Sequence, residues 1–510
     1  MEQLVLGIDI GTSACKAALF LEDGTVVGQV SQSYGVSHPA PGYAEQDPQE
    51  WWRAVCHAIR CVLESSGKNP GDIAGIGVDG QSWAAIPVDK EGNCLAPTPI
   101  WMDTRARDIC REIEESDLAE EIFRVSGNRF SPGYTTPKMI WLKRNRPDIY
   151  EKTAWFLQSN SYIAAKLTGV ITQDVSQGYG LHFFNEKTHG YEEELARELG
   201  LDVATVPQAV PCHRIIGTVT AKAAGETGLI QGIPVCAGGL DAACSCLGAG
   251  VLRPGQTQEQ GGQAGGMSIC EKEPVADRRL ILSPHVVPGQ WLLQGGTVGG
   301  GGILRWMQKE LAPSLTFDAI TELADTVVPG SEEVLFLPYM AGERSPIWNP
   351  DAKGVFYGLG YEKGLAHMLR AGLESVAFSL EHNLRCAQEV GVCVDSFVSV
   401  GGAANSVMWT QMKADVTGKT IQVPASDTAT ALGAALLAGV GVGLYPDFDT
   451  AVAKTVRIQR THHPDPVRRE QYRHAAARYL TLSRSMETVF ARMETGTQKH
   501  MRAENGGEGS

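Results

Sequence analysis

From Leu4 to Ile10 the chain is apolar except for Gly7 and Asp9, and from Ala14 to Phe20 it is apolar except for Lys16, with Gly11-Thr12-Ser13 between the two runs. Two such runs around a short Gly-Thr-Ser segment predict a buried strand, a tight hairpin and a returning strand. Helical periodicity predicts helices at Gln49 to Ser66, Arg105 to Arg124, Thr136 to Asn145 and Ser159 to Leu167, with a strand at Ile73 to Asp79. Beyond about Val251 the pattern gives strands at Val334 to Leu337 and Phe397 to Val400, and helices at Ile303 to Leu311, Leu365 to Gly391 and Val467 to Glu494. Strands alternating with helices indicate an α/β fold. The Gly- and charge-rich stretch from Thr495 to Ser510 reads as a disordered tail.

The opening pattern recurs. Val235 to Leu252 carries a strand to Gly238-Gly239 and Asp241, followed by small residues at helical spacing, and Ser396 to Gly418 carries a strand to Gly401-Gly402 and a helix opening near Asn405-Ser406. Three strand-to-glycine turns so far apart suggest two halves closing on one nucleotide. With 510 residues the chain exceeds one ordinary core, so two domains are expected, 1–250 and 251–494.

The turns also carry chemistry. In the first hairpin the backbone N–H groups and the hydroxyls of Thr12 and Ser13 can face one concavity, as a phosphate chain requires, with Lys16 adding positive charge. Asp9 at the strand end is placed to hold a hydrated magnesium ion against those phosphates. Gly295 to Gly302, which includes Gly300 and Gly301, precedes a predicted helix and reads as a second close-approach loop, or else as glycine spent on tight helix packing. Gly75-Ile76-Gly77-Val78-Asp79-Gly80 formally matches GxGxxG, but its glycines lie inside a strand, so it is not read as a dinucleotide fingerprint. Gly418-Lys419-Thr420 imitates the end of a Walker A loop, with Lys413 standing where the first glycine belongs. Gly80-Gln81-Ser82-Trp83-Ala84 falls one residue short of a GxSxG elbow, and no later histidine stands in a context that would complete a serine hydrolase.

Taken in order, these segments resemble the FGGY carbohydrate kinases. The hairpin comes first, then GVDGQSWAAIPVDKEGNCLAPTPIWMDTRA (Gly77 to Ala106), GYTTPKMIWLKRN (Gly133 to Asn145), the Asp241 region, GERSPIWNPDAKGVFYGLG (Gly342 to Gly360) and the Gly-Gly-Ala segment at Gly401. The resemblance implies two actin-like ATPase (ribonuclease H-like) domains around a nucleotide and sugar cleft. It implies Asp241 as the base that receives the acceptor proton, and Asp9 with Asp241 around magnesium. It implies ATP held by Gly11, Thr12, Ser13, Lys16, Gly262, Gly300 and Gly301, with Gly401, Gly402 and Asn405 at the adenosine. Gln81, Ser82, Trp83 and Asp103 would line the sugar pocket beside Asp241; Trp83 is alternatively core, Asp103 alternatively a loop carboxylate, and Asp241 alternatively a helix cap.

The pattern is most similar to xylulokinases, which implies D-xylulose as acceptor, with ribulose or erythritol as alternatives. Where xylulokinases show Gly-Gln-Met-His-Gly this chain has Gly80-Gln81-Ser82-Trp83-Ala84, Ala242 replaces the usual Asn after the base, and Gln263 stands for the threonine of a Gly-Thr-Ser-Gly loop. A rival reading is an actin-like nucleotide-binding module without turnover, for which Asp9 and Asp241 would have no chemical use.

Composition narrows the partners. A formal charge of −14 excludes general binding to nucleic acid or to anionic membranes, which needs clustered Lys and Arg. No uncharged apolar run reaches 18 residues, and the N-terminus carries no basic segment followed by a signal-type core, so a cytoplasmic enzyme is expected, a homodimer being one assembly open to it. The 12 cysteines show no CxxC spacing and read as reduced small residues.

Overall fold

A computed structural model describes residues 3–505 by backbone, and side chains from 3 to 492. In the first half, strands β1 (Leu4–Ile10), β2 (Ala14–Leu21), β3 (Val26–Ser33), β4 (Ile73–Gly80), β5 (Ile215–Thr218), β6 (Pro234–Cys236) and β7 (Gly239–Leu240) form one sheet. Its order is β5-β6-β4-β1-β2-β3, with β7 pairing β4. The second sheet contains β8 (Gln256–Gly261), β9 (Gly265–Glu271), β10 (Ile281–Pro284), β11 (Trp291–Thr297), β12 (Ser396–Val400), β13 (Thr420–Pro424) and β14 (Ile458–His462), in the order β10-β11-β9-β8-β12-β13-β14.

The two sheets share a plan. In each, an antiparallel meander (β3-β2-β1; β11-β9-β8) is followed by two parallel strands (β4, β6; β12, β13) and an antiparallel edge strand (β5; β14). This is the duplicated α/β architecture that the recurring strand-glycine pattern anticipates.

Local sequence sets the helices. Helix α1 (Pro48–Ser66) starts at Asp47, whose carboxylate accepts from the Gln49 N–H, has proline in its first turn and stops at Gly67 in the left-handed region. Its buried Trp51, Val55, Ala58, Ile59 and Val62 recur at three- and four-residue steps and pack against β2 and β3. Helix α2 (Thr135–Asn145) buries its first turns. The expected helix from Arg105 to Arg124 is instead two helices, Arg107–Glu114 and Leu118–Ser126. At Ser116 the hydroxyl turns back to the Ile113 carbonyl, the local competition by which serine ends helices.

Later helices are α3 (Asp241–Gly248), α4 (Gly301–Glu310), α5 (Leu365–Glu389), α6 (Val407–Thr417), α7 (Ala429–Gly441) and α8 (Pro466–Asn505). Helix α8 continues through Asn505, whereas the sequence pattern ends order at Thr495. The intervening Lys, Met, Arg, Ala and Glu are strong helix formers. The remainder of the expected tail, 506–510, lies outside the described residues.

Helix α7 explains two glycine signals. Although it lies in sequence between β13 and β14 of the second sheet, it packs against β1, β4 and α3 of the first half. A Cβ on Gly77 would stand 1.8 Å from the Ala434 carbonyl oxygen, one on Gly7 2.0 Å from that of Ala431, and one on Gly248 1.9 Å from that of Ala429. The GxGxxG look-alike in β4 is therefore a track for α7. Helix α7 also joins the halves, since one buried cluster contains its Ala431, Leu432 and Ala435 together with Val5 and Phe20 of the first sheet and Val398 and Val400 of the second. The Walker A look-alike is a helix end, with Gly418 capping α6 in the left-handed region. All 12 cysteines are free thiols.

Candidate active site

The site lies where β1, β4 and β7 end side by side. Asp9 on β1 is in register with Asp79 on β4, which is in register with Gly239 on β7, and Asp241 follows two residues later. Asp79 is fully buried; among the described residues no N–H or hydroxyl donates to its oxygens, and its polar contact is with the carboxyl of Asp9, to which a protonated Asp79 donates. Burial, then the charges of Asp9 and Asp241, push its pKa well up. Burial also raises Asp9, against the opposing pull of Lys16.

Asp241 is partly exposed, and its pKa is pushed up to about 7 by burial and by the Asp9 charge. It occupies the first position of α3 rather than the cap, which falls to Leu240. Its Oδ1 accepts only from the adjacent Ala242 N–H at 2.6 Å, and that bond leaves Oδ2 free for a ligand. A carboxylate that titrates near neutrality and faces open space is suited to taking a proton.

The Gly11-Thr12-Ser13 turn is closed by the Gly11 N–H donating to the Ala14 carbonyl at 3.1 Å. Ser13 and Lys16 are exposed on it. Thr12 is less free than the sequence suggests. Its hydroxyl accepts from Trp101 Nε1 at 2.9 Å and donates to Gln81 Oε1 at 3.3 Å, and Gln81 Nε2 donates to Gln46 Oε1 at 2.8 Å. Thr12 and Gln81 therefore tie the hairpin to the WMD stretch. Asp9 and Lys16 line a cavity of about 210 Å³ between β1 to β3 and the start of α7, with Asp427, Thr428 and Thr430 on its far wall.

Asp241 also lies near Tyr179, which belongs to an aromatic wall. Trp83, 5% exposed, stacks on Tyr134 with ring centroids 4.0 Å apart and is tilted against Tyr179 at 5.5 Å. Both alternatives for Trp83 hold in part: it belongs to a buried cluster, yet its indole N–H is buried without a partner. Ser82 is half-buried beside the Tyr179 hydroxyl. Arg344, from the Gly-Glu-Arg-Ser-Pro segment of the second half, lies 5.0 Å over the Trp101 ring and is held through one long bond, Nη2 to the Thr297 carbonyl at 3.4 Å. Its Nε has no partner. Glu343 beside it accepts from the Val298 and Arg344 N–H groups, and burial pushes its pKa up to about 7.

Asp103 does not reach this group. It is fully buried, and its oxygens accept from the Ala44 N–H at 2.7 Å and from the Arg105 N–H, Nε and Nη2 at 2.8–3.0 Å. Four donors fill the lone pairs of this carboxylate from its own loop and from the segment leading into α1.

The second half brings its glycines together. A Cβ on Gly401 would lie 3.0 Å from the Gly261 carbonyl oxygen, and one on Gly301 2.6 Å from that of Gly262. Gly402 and Asn405 are exposed beside them. The α4 terminus is not an open anion site, however. The Gly301 and Gly302 N–H groups donate to the Gly262 and Gln263 carbonyls at 2.7 and 3.0 Å, and Gln263 Oε1 accepts from Arg305. Here the glycines serve tight packing of a hairpin turn on a helix end.

Asp79, Tyr134, Tyr179, Glu343 and Arg344 are the participants that sequence reasoning left without a role. Asp79 was signalled by standing at a strand end in register with Asp9, and Arg344 by the specificity of its motif. A magnesium ion fits: burial raises the pKa of Asp9, Asp79 and Asp241, and the charge of Asp9 raises the latter two further, a crowding that a cation relieves; Asp9 with Asp241 supplies the one or two carboxylates that magnesium combines with phosphate and water. No group of three or more His, Cys, Asp or Glu among the described residues forms a protein-only metal cage.

Comparisons with known proteins identify the family. The family model for the N-terminal domain of the FGGY family of carbohydrate kinases matches residues 4–248, and that for the C-terminal domain matches 265–442. The chain is 30% identical over 500 residues to a xylulose kinase of Staphylococcus epidermidis, covering 98% of this chain and 100% of the relative. It is 29% identical over 508 residues to a gluconokinase of Bacillus subtilis, covering 97% and 98%. A solved xylulose kinase from Rhodospirillum rubrum superposes with a TM-score of 0.88 at 32% identity, over 96% of this chain and 100% of that one.

Proposed function

The chain belongs to the FGGY family of carbohydrate kinases, and from that premise we propose that it transfers the γ-phosphoryl group of ATP to a hydroxyl of a small ketose, D-xylulose being the first candidate. The observation that carries the reading is Asp241 held near neutrality, close to Asp9 of the first hairpin and to Tyr179 of the aromatic wall.

In this reading the acceptor hydroxyl lies against Asp241, whose carboxylate takes its proton as the oxygen bonds to the γ-phosphorus. The bond from phosphorus to the β–γ bridging oxygen breaks, and ADP leaves. Magnesium, when bound, neutralises charge on the phosphates. The exposed hairpin N–H groups, Ser13 and Lys16 face the phosphate chain, while Gly401, Gly402 and Asn405 face the nucleoside. Closure of the halves about α7 would exclude water, the competing acceptor. The division near residue 250 and a cytoplasmic location belong to the same proposal.

Arg344 favours one second reading. Among the described residues no carboxylate closes on its guanidinium at ion-pair distance, the neighbouring Glu343 acting only from further off, and a partly exposed cation without a direct ion pair suits the carboxylate of a sugar acid. An ADP-release screen across ketoses, aldoses, polyols and aldonates decides between them. Turnover highest with D-xylulose supports the first, turnover highest with an aldonate supports the second, and no turnover with any sugar refutes both.

A further inference from the structure

The wall residue Trp83 has an uncommon backbone. Its φ is 63°, in the left-handed region that a bulky side chain rarely adopts. Such a conformation persists only where its surroundings enforce it. One contact that holds it is made by a buried lysine, alongside the Thr135 hydroxyl that donates to the next carbonyl, that of Ala84.

Lys138 lies in the first turns of α2 and is 1% exposed. Its Nζ donates to the Trp83 carbonyl at 2.7 Å and to the Gly133 carbonyl at 2.6 Å. Gly133 immediately precedes Tyr134, the residue whose ring stacks on Trp83. One ammonium group thus fixes the backbone behind both stacked rings, and it joins the segment leaving β4 to the segment entering α2. No carboxylate is paired with it: the neighbouring Asp103 is already occupied by Arg105. Desolvation accordingly lowers the Lys138 pKa to about 7. Loss of one proton still leaves two N–H donors for two carbonyls, so the bridge does not depend on charge.

We propose that Lys138 is a positioning residue for acceptor choice, acting through Trp83: its bridge between the Trp83 and Gly133 carbonyls holds the Trp83–Tyr134 stack in the geometry that shapes the sugar side of the site. The proposal rests on the kinase reading above. A lysine serving only as buried filler would affect all substrates alike, whereas a lysine acting through Trp83 affects the acceptor and not ATP.

The test is Lys138→Met, which keeps the length and apolar stem of the side chain and removes both donors. The expected result is an acceptor kcat/KM lower by about 10- to 100-fold, the range for a misplaced pocket group, carried mainly by KM and differing in size between two acceptors, with the KM for ATP unchanged. In the double variant Lys138→Met/Trp83→Ala, acceptor kcat/KM should equal that of Trp83→Ala alone. Equal losses for every acceptor, a raised KM for ATP, or additive losses in the double variant would overturn the proposal. Should Lys138→Met not fold, Lys138→Arg, which keeps donors on a longer and differently shaped group, is compared in the same way and should change the ratio between acceptors. Hydrogen exchange supplies a readout that needs no acceptor: in Lys138→Met, faster exchange confined to residues 80–86 and 131–137 is expected, and unaltered exchange there refutes the bridge even if the sugar screen finds no substrate.

Discussion

The hairpin β1–β2 and its structural repeat β8–β9 stand at the same place in equivalent sheets and treat charge in opposite ways. Counted back from the closing pair of each hairpin, Ile10 with Cys15 and Gly261 with Gly265, Asp9 corresponds to Gln260. Their partners across the parallel ladder are Asp79 and Val400. The first half thus places two carboxylates together at its strand ends, and the second places an amide beside a valine. One residue deeper, Glu259 is buried but fully paired: Lys413 Nζ donates to Oε1 at 2.6 Å, and Ser399 Oγ donates to Oε2. Burying a carboxylate is expensive unless it is paired. The second half meets that cost with a cation and a hydroxyl, while Asp79 has only the carboxyl of Asp9 and Asp241 only a neighbouring N–H. The contrast teaches that the duplicated frame is structural and that the chemistry resides where one copy leaves charge uncompensated.

The strongest way to break this comparison is to neutralise the base. Asp241→Asn should fold and bind nucleotide but lower turnover by roughly 10²–10⁴, the range for loss of a positioned general base. Steady-state kinetics with the best acceptor measures it, and near wild-type turnover would remove Asp241 from the reaction.

The opposite intervention is Lys413→Met, which strips the partner from Glu259. It should destabilise the fold by about 3–5 kcal/mol, as expected when a buried pair loses one member, and leave the KM for the acceptor unchanged. Denaturant titration with parallel kinetics checks it. A stable variant with altered acceptor KM would mean that the charge in the second half is not merely structural.

These assignments were legible in the sequence to different depths. Asp9 and Asp241 stood out because each ends an apolar run at a glycine turn, and the ends of α1 were announced by Asp47, Pro48 and Gly67. What could not be read was which polar groups are spent on one another. Asp103 looked available until Arg105 and the Ala44 N–H were seen to fill it, and Gly300 and Gly301 looked like a phosphate loop until the carbonyls of Gly262 and Gln263 were found on the helix end. Nor could the strand glycines of β4 be understood before α7 was placed against them, because that contact joins positions more than 350 residues apart. Local pattern reports an element, whereas satisfaction of a polar group depends on partners remote in sequence.

A smaller effect is expected from the carboxylate at the hairpin itself. Asp9→Asn should weaken magnesium binding in the presence of ADP by roughly 10- to 100-fold, as loss of a supporting carboxylate generally does. Isothermal titration of magnesium into the nucleotide complex measures this without turnover. If affinity is unchanged, the difference between Asp9 and Gln260 has no bearing on the metal.

The smallest effect concerns the wall. Trp83→Ala removes a ring stacked on Tyr134 and an indole N–H that is buried without a partner among the described residues. Loss of one such contact should raise the barrier for the preferred acceptor by about 1–3 kcal/mol in kcat/KM. Two contributions can be separated, because Trp83→Phe restores the stacking surface and not the donor. If Phe recovers most of the loss, the ring serves by shape; if Phe behaves like Ala, the N–H makes the contact. Should neither substitution change the ratio of kcat/KM between acceptors, Trp83 lies outside the pocket, and the uncompensated groups that define the site reduce to Asp9, Asp79, Asp241 and Arg344.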